Sequence, residues 1–165
     1  VPLTKPSALL EEHDTVAFGC GDPVLDGWLR HHAKEHQRER ITNTFVVLDG
    51  TTIAGFYCLA TGAVERVATH SRWRSRRPAD PVALMLIGRL AVDSRYQGRG
   101  VGARLLRDAT MRALTVRRMV GTPVLGAHAA APAGRAFYRH FGFAASSVDP
   151  YLVLLPLQHA AGSAG

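Results

Sequence analysis

A chain of 165 residues that is 47% hydrophobic and 20% charged has the size and balance of one folded domain with a real core. It has no apolar run of the roughly 18 residues a membrane span needs, its first residues, Val1-Pro2-Leu3-Thr4-Lys5-Pro6, lack the apolar stretch of a secretory leader, and two cysteines are too few for a disulfide framework or a zinc site. The 20 lysines and arginines against 13 acidic residues leave a formal charge of +7, which favours a polyanionic partner, nucleic acid first, although plain solubility of an arginine-rich chain would look the same. Cys20 and Cys58 are expected to be small core residues of a protein in a reducing cytoplasm.

Val16 to Phe18 reads as a short strand or turn. Asp22-Pro23 is a helix start, with an N-capping carboxylate followed by a proline suited to the first helical position. Leu25, Trp28, Leu29 and Ala33 then recur at three- and four-residue spacing, the mark of an amphipathic helix whose other side carries Arg30, His31, Lys34, Glu35, Arg38 and Arg40. His32 and His36 stand at a spacing that can bind a metal. No third ligand accompanies them in a recognisable motif, so a solvated helix face is expected and no metal. Asn43 to Leu48 is a β-branched strand, Asp49-Gly50 a hairpin turn, and Thr52 to Thr61 the return strand, with Gly55 at a close approach or bulge. Val64 to Pro81 holds Arg66, Arg72, Arg74, Arg76, Arg77 and Trp73 and reads as an exposed loop with a helical turn.

Ala83 to Val92 is almost continuously apolar, a buried central strand. A glycine-rich loop follows, then a helix from about Gly100 to Arg118 that stops at Gly121. Pro123 to Ala129 is a short strand. Pro132 opens a helix through His140 that Gly142 stops, and Phe143 to Ser146 and Tyr151 to Leu157 are short strands. Residues 158–165 read as a frayed tail. A strand, a helix and a further strand in succession require the two strands to be parallel neighbours.

The segment Gln97-Gly98-Arg99-Gly100-Val101-Gly102 sits where that helix begins. Glycines let a backbone approach a ligand, and a helix N-terminus offers unpartnered N–H groups and a favourable dipole to phosphate. A P-loop would need Lys followed by Ser or Thr after the last glycine, where Ala103-Arg104 stands instead. Gly98, Gly100 and Ala103 satisfy the spacing of a dinucleotide fingerprint, but residues 118–125 offer no acidic side chain to hold a ribose. No G-x-S-x-G elbow points to a serine hydrolase.

The third reading, Gln97-x-x-Gly100-x-Gly102 after an apolar strand, resembles the acyl-CoA loop of the GNAT acetyltransferase superfamily. Ala136-Phe137-Tyr138-Arg139-His140-Phe141-Gly142-Phe143 is similar to that superfamily's C-terminal signature. Phe18 to Leu29, Gly55-Phe56-Tyr57-Cys58-Leu59-Ala60 and Gly88-Arg89-Leu90-Ala91-Val92-Asp93 resemble one branch of it, the acetyltransferase toxins of bacterial toxin–antitoxin pairs, so that the likeness covers about residues 15–157. The strand end Gly126-Ala127-His128-Ala129 and the small apolar run from Ala130 to Gly134 depart from the usual pattern away from the motif positions.

The resemblance implies a single α+β GNAT domain over 1–165: a mixed, mostly antiparallel twisted sheet with a splayed central strand pair, flanked by helices. It implies acetyl-CoA as donor, held by Gln97, Gly98, Arg99, Gly100, Val101, Gly102 and Arg104 at its diphosphate, by Leu90, Ala91 and Val92 along its pantetheine arm, and against Phe137 and Tyr138. The Val92 N–H is the expected oxyanion donor. Tyr138 is the expected general acid, since a phenol of ordinary pKa about 10 is protonated at neutral pH. The acceptor implied is the α-amine of aminoacyl-tRNA, whose acetylation blocks translation. Lys34, Arg38, Arg72, Arg74, Arg76, Arg77 and Arg89 are the candidates for RNA contact, with Trp73 able to stack. A ribbon-helix-helix antitoxin and a homodimer are the partners implied. The competing readings are a GNAT acting on a protein N-terminus, a lysine or a small amine, and a DNA-binding regulatory component working through an antitoxin complex.

Overall fold

Asp22 accepts a hydrogen bond from the Val24 N–H, and Pro23 takes the first position of α1 (Pro23–His31). In the computed structural model, which describes residues 2–64, 82–121, 124–129, 131–147 and 149–157, the apolar stripe expected as one helix is divided at His32. His32 has φ −125°, and α2 (Ala33–Arg38) resumes beyond it, keeping Trp28, Leu29 and Ala33 on the buried side. The strands are β1 (Ser7–Ala8), β2 (Asn43–Asp49), β3 (Thr52–Val64), β4 (Val82–Val92), β5 (Val124–His128), β6 (Ala144–Ala145) and β7 (Leu152–Pro156). The two longer C-terminal helices are α3 (Val101–Val120) and α4 (Pro132–His140). The sheet order is β1-β2-β3-β4-β5-β7-β6, mixed and mostly antiparallel as expected. Of the strand or turn expected at Val16 to Phe18, the structure has the turn, a bend at Val16 and Ala17, with one bridge nearby at Asp14–Thr52.

By its contacts the chain falls into two units. The first comprises Val1–Ala60 and Gly88–Ala109. Its hairpin runs from Asn43–Leu59 to Asp49–Thr52, closed by Gly50 at φ 61°, and its register shifts between Val47 and Leu48. Phe18 and Trp28 pack on Phe56 in a core that includes Leu29, Val46 and Cys58. Gly55 is a close approach, as its place in the strand suggested: a Cβ there would stand 2.9 Å from Val101, 3.0 Å from Leu105 and 3.2 Å from the Ala91 carbonyl. Cys58 is buried, whereas Cys20 is only half-buried at the core's margin.

The second unit comprises Thr61–Ile87 and Thr110–Gly165. Here β4 and β5 are parallel from Leu84–Val124 to Ile87–Ala127, as a strand–helix–strand crossover requires. Gly88 to Val92 continue beyond the last of these paired positions. Gly121, at φ 74°, ends α3, and Gly142, at φ 96°, follows α4. The core joins Val82, Leu84, Val124, Leu152 and Leu154. Among the described residues no helix is long and apolar enough to cross a membrane, and no group of three histidine, cysteine or acidic residues is placed to hold a metal. His36 packs edge-on to Trp28 instead, with centroids 5.8 Å apart. The arginine-rich stretch 65–81, with its expected loop, and the expected tail 158–165 lie outside the described residues.

Candidate functional site

β4 ends in a polar joint. Leu90 and Val92 are half-buried and Ala91 is buried. Asp93, only 2% exposed, then turns the chain into a single 3-10 turn, Ser94–Tyr96. One carboxylate oxygen of Asp93 accepts from the Arg95 N–H and Nε, both at 2.9 Å, and the other from the Gly19 N–H and Arg95 Nη2, both at 3.0 Å. Burial opposes the charge of Asp93. The Arg95 guanidinium and the Arg95 and Gly19 N–H groups outweigh it and hold the carboxyl below its ordinary value. Nothing in the sequence reading gave Asp93 a role. The signal was an acid closing an apolar strand two residues before an arginine, the pattern of a side chain that bonds its own backbone two residues on.

Because its folded pKa is lowered, the stabilisation from ionised Asp93 is fully present above the ordinary carboxylate pKa and is lost as pH falls through the lowered folded value. Asp93→Ala strands a part-buried N–H and is expected to cost about 1.5–3 kcal/mol at pH 7. Urea denaturation should show that deficit shrinking as the pH is taken down to 3. A deficit independent of pH would assign the loss to packing rather than charge.

The loop that follows is exposed from Gln97 to Gly100. Gln97 donates through Nε2 to the Val92 carbonyl at 3.0 Å and the Cys20 carbonyl at 3.1 Å, so its side chain clamps the loop onto the strand end. Gly98 and Gly100 stand at φ 78° and 77°, where a side chain would be strained, and a Cβ at either would meet nothing within 4 Å. The first bond inside α3 runs from the Arg104 N–H to the Gly100 carbonyl at 3.1 Å. The N–H groups of Val101, Gly102 and Ala103 therefore precede the helix's own bonding. No carboxylate lies in the first turn of this 20-residue helix to neutralise its positive end. Exposed Arg99 lies with its guanidinium carbon 5.4 Å from the Tyr96 ring centroid. Open space, two left-handed glycines, a bare helix N-terminus and one exposed arginine fit a diphosphate. Arg104, expected at the phosphates, instead donates to the Leu3 and Thr4 carbonyls at 3.3 Å.

In the second unit, Tyr138 lies within α4, 4% exposed, with its ring 5.3 Å from Phe137 and 5.2 Å from Phe143. Its carbonyl accepts from the Phe141 and Phe143 N–H groups and so closes the turn that Gly142 makes possible. Neither cysteine is poised as a thiolate. Burial first, then the Asp26 side chain, pushes Cys20 up to about 11, and burial raises Cys58 against the opposing effect of Arg89.

The basic candidates divide. Arg72, Arg74, Arg76 and Arg77 lie outside the described residues. The other three make contacts within the first unit, Arg38 while itself still exposed. Lys34 donates to the Glu11 carbonyl at 2.8 Å and the His13 carbonyl at 2.6 Å. Arg38 pairs with the Glu11 carboxylate. Arg89 is half-buried, its guanidinium carbon 4.4 Å from the Trp28 ring centroid. Composition counts such charges as free, and only the contacts made by each side chain decide whether they are.

A model of the acetyltransferase (GNAT) domain family matches residues 40–145. The chain is 36% identical over 157 residues to a tRNA-acetylating toxin of Mycobacterium tuberculosis (strain ATCC 25618 / H37Rv), covering 95% of this chain and 94% of that protein. It is 28% identical over 158 residues to a probable toxin TacT of Sinorhizobium fredii, covering 88% and 86%. Among solved structures the fold matches AtaT complexed with acetyl-methionyl-tRNAfMet, with a TM-score of 0.92 at 23% identity over 99% of this chain and 100% of that one. It also matches a tyrosine-to-phenylalanine mutant of AtaT bound to the C-terminus of the antitoxin AtaR (TM-score 0.84, 23% identity, 98% and 97% covered). A third match is AtaTR bound with AcCoA (TM-score 0.86, 25% identity, 99% and 98% covered).

Proposed function

This chain belongs to the GNAT acetyltransferase family, and we propose that it is a toxin that acetylates the α-amino group of aminoacyl-tRNA with acetyl-CoA and so blocks translation. The observation that carries the reading is the 36% identity to a tRNA-acetylating toxin across 95% of the chain. The loop geometry supports the donor half, since two glycines at positive φ open a helix N-terminus onto clear space.

Bound acetyl-CoA supplies a thioester carbonyl and a thiol leaving group. The N–H groups from Gly98 to Gly102 and the Arg99 guanidinium hold the diphosphate, while Leu90 to Val92 offer a strand edge to the pantetheine arm. The Val92 N–H donates to the carbonyl oxygen as negative charge develops there. Gln97, bonded to the Val92 carbonyl, keeps that strand end in place. The Tyr138 hydroxyl gives its proton to the leaving sulfur. An α-amine of pKa about 8, lowered further by an adjacent ester, is already partly neutral near pH 7; as its nitrogen bonds the acetyl carbon and the carbon–sulfur bond breaks, the proton it sheds passes to water, so no side chain is assigned as base. Transfer is direct to the amine, in keeping with two cysteines held as neutral thiols. Arg72, Arg74, Arg76 and Arg77 meet the RNA backbone, with Trp73 as a stacking surface.

The chain works as one acetyltransferase domain in the cytoplasm, restrained by a ribbon-helix-helix antitoxin and able to form a homodimer. AtaT bound to part of its antitoxin supports the first of these partnerships.

Incubating the purified protein with radiolabelled acetyl-CoA and either charged or uncharged tRNA should place label on the charged pool alone. Charged tRNA left unlabelled, with transfer instead to a protein N-terminus, a lysine or a small amine, would reassign the acceptor.

A further inference from the structure

We infer that Asp49 is a positioning residue for the donor loop, acting through the hydroxyl of Tyr96. The inference rests on the reading of that loop as the acetyl-CoA site. Residues 97–100 are exposed, and the Cβ positions of Gly98 and Gly100 meet no neighbour within 4 Å, so side-chain packing at these glycines does not shape the loop. Its conformation is set from its ends, where the Gln97 side chain also bonds the Val92 and Cys20 carbonyls. Downstream, α3 begins. Upstream stands Tyr96, only 8% exposed, whose N–H donates to the Asp93 carbonyl at 2.8 Å. The Tyr96 hydroxyl donates to an oxygen of the Asp49 carboxylate at 2.6 Å.

Asp49 is a firm anchor. It is the last residue of β2, paired with Thr52 across the tight turn at Gly50. The bond therefore ties the start of the loop to a hairpin 47 residues away in the chain. The same ring has the guanidinium carbons of Arg99 at 5.4 Å and Arg95 at 5.8 Å from its centroid, so fixing the ring also places the loop's one exposed cation. A loop already held in its binding conformation loses less freedom when the ligand arrives. Releasing it should weaken donor binding without changing the chemical step. An electrostatic role for Asp49 predicts the opposite sign, because removing an anion near a diphosphate site should tighten binding.

The full-length chain and its Tyr96→Phe, Asp49→Ala and doubly substituted variants would be titrated calorimetrically with coenzyme A. Steady-state kinetics with acetyl-CoA and charged tRNA, and thermal melting, complete the set. Each single change should weaken coenzyme A binding about 5- to 20-fold and raise KM for acetyl-CoA in step, with kcat and the KM for charged tRNA essentially unmoved. The double variant should be no weaker than the weaker single, because both changes remove one bond. A lower melting temperature with unchanged coenzyme A affinity would make the pair a purely structural contact and overturn the inference, as would tighter binding by Asp49→Ala. If the wild-type chain binds coenzyme A but leaves charged tRNA unlabelled, the acceptor assignment fails alone and the calorimetry still decides the role of Asp49. A wild-type chain that does not bind coenzyme A overturns both.

Discussion

Tyr138→Phe should lower kcat by about 10²- to 10⁴-fold while leaving the affinity for acetyl-CoA and the melting temperature near wild type. The substitution removes one oxygen and keeps the ring. That ring is 4% exposed and packed at about right angles to Phe137 and at a tilt on Phe143, contacts that a phenylalanine makes equally well. The Tyr138 carbonyl, which accepts from the Phe141 and Phe143 N–H groups, belongs to the backbone and is unaffected. On the proposed mechanism, what is lost is the proton for the departing sulfur. Single-turnover acetylation of charged tRNA, read beside calorimetric binding of coenzyme A, separates the chemical step from binding. A purified variant that turns over at the wild-type rate would remove Tyr138 from the mechanism and leave it a core residue.

Gly55→Ala should destabilise the protein by about 1–3 kcal/mol, enough to lower the melting temperature by roughly 2–12 °C in a chain of this size. The added methyl would stand 2.9 Å from Val101 Cγ1, 3.0 Å from Leu105 Cδ1 and 3.2 Å from the Ala91 carbonyl oxygen. Leu105 Cδ1 is a side-chain end that can turn, but Val101, β-branched and buried at the start of a helix, is stiff. The third is backbone and cannot move without shifting β4. All three neighbours support the proposed donor site: Ala91 lies on the strand assigned to the pantetheine arm, and Val101 and Leu105 on the opening turns of α3. The same variant should therefore also raise KM for acetyl-CoA. Gly27→Ala is the control: it lies inside α1 with nothing within 4 Å of the Cβ position. It should be neutral or stabilising by up to about 1 kcal/mol. Equal melting temperatures for the two variants would show that the helix yields to the methyl and that Gly55 is not required for its close approach.

Much of this molecule was legible in its sequence. Asp22-Pro23, Asp49-Gly50, Gly121 and Gly142 mark boundaries through local backbone chemistry, and the structure places a helix or turn boundary at each. The alternation of apolar segments led to a parallel β4–β5 pair. The break at His32 was not legible, because Trp28, Leu29 and Ala33 keep helical spacing across it. The backbone of the glycine loop was legible, because glycines standing just before a helix are a short-range pattern, and Gly98 and Gly100 do take positive φ there.

The fate of the polar side chains was a different matter. Lys34, Arg38 and Arg89 look alike as charges on a basic chain. Folding sends the first to carbonyls near the N-terminus, the second to Glu11 and the third onto Trp28. Arg104, seemingly destined for phosphate, reaches back 101 residues to Leu3. Asp93 finds the Gly19 N–H across 74 residues, and Tyr96 finds Asp49 across 47. By itself the sequence determined most of the elements, their order and the family, because each rests on interactions between residues close along the chain. Only the tertiary structure decided which backbone and side-chain partners these polar groups find. A hydrogen bond between distant residues depends on where the whole backbone has carried them, and no local pattern records that.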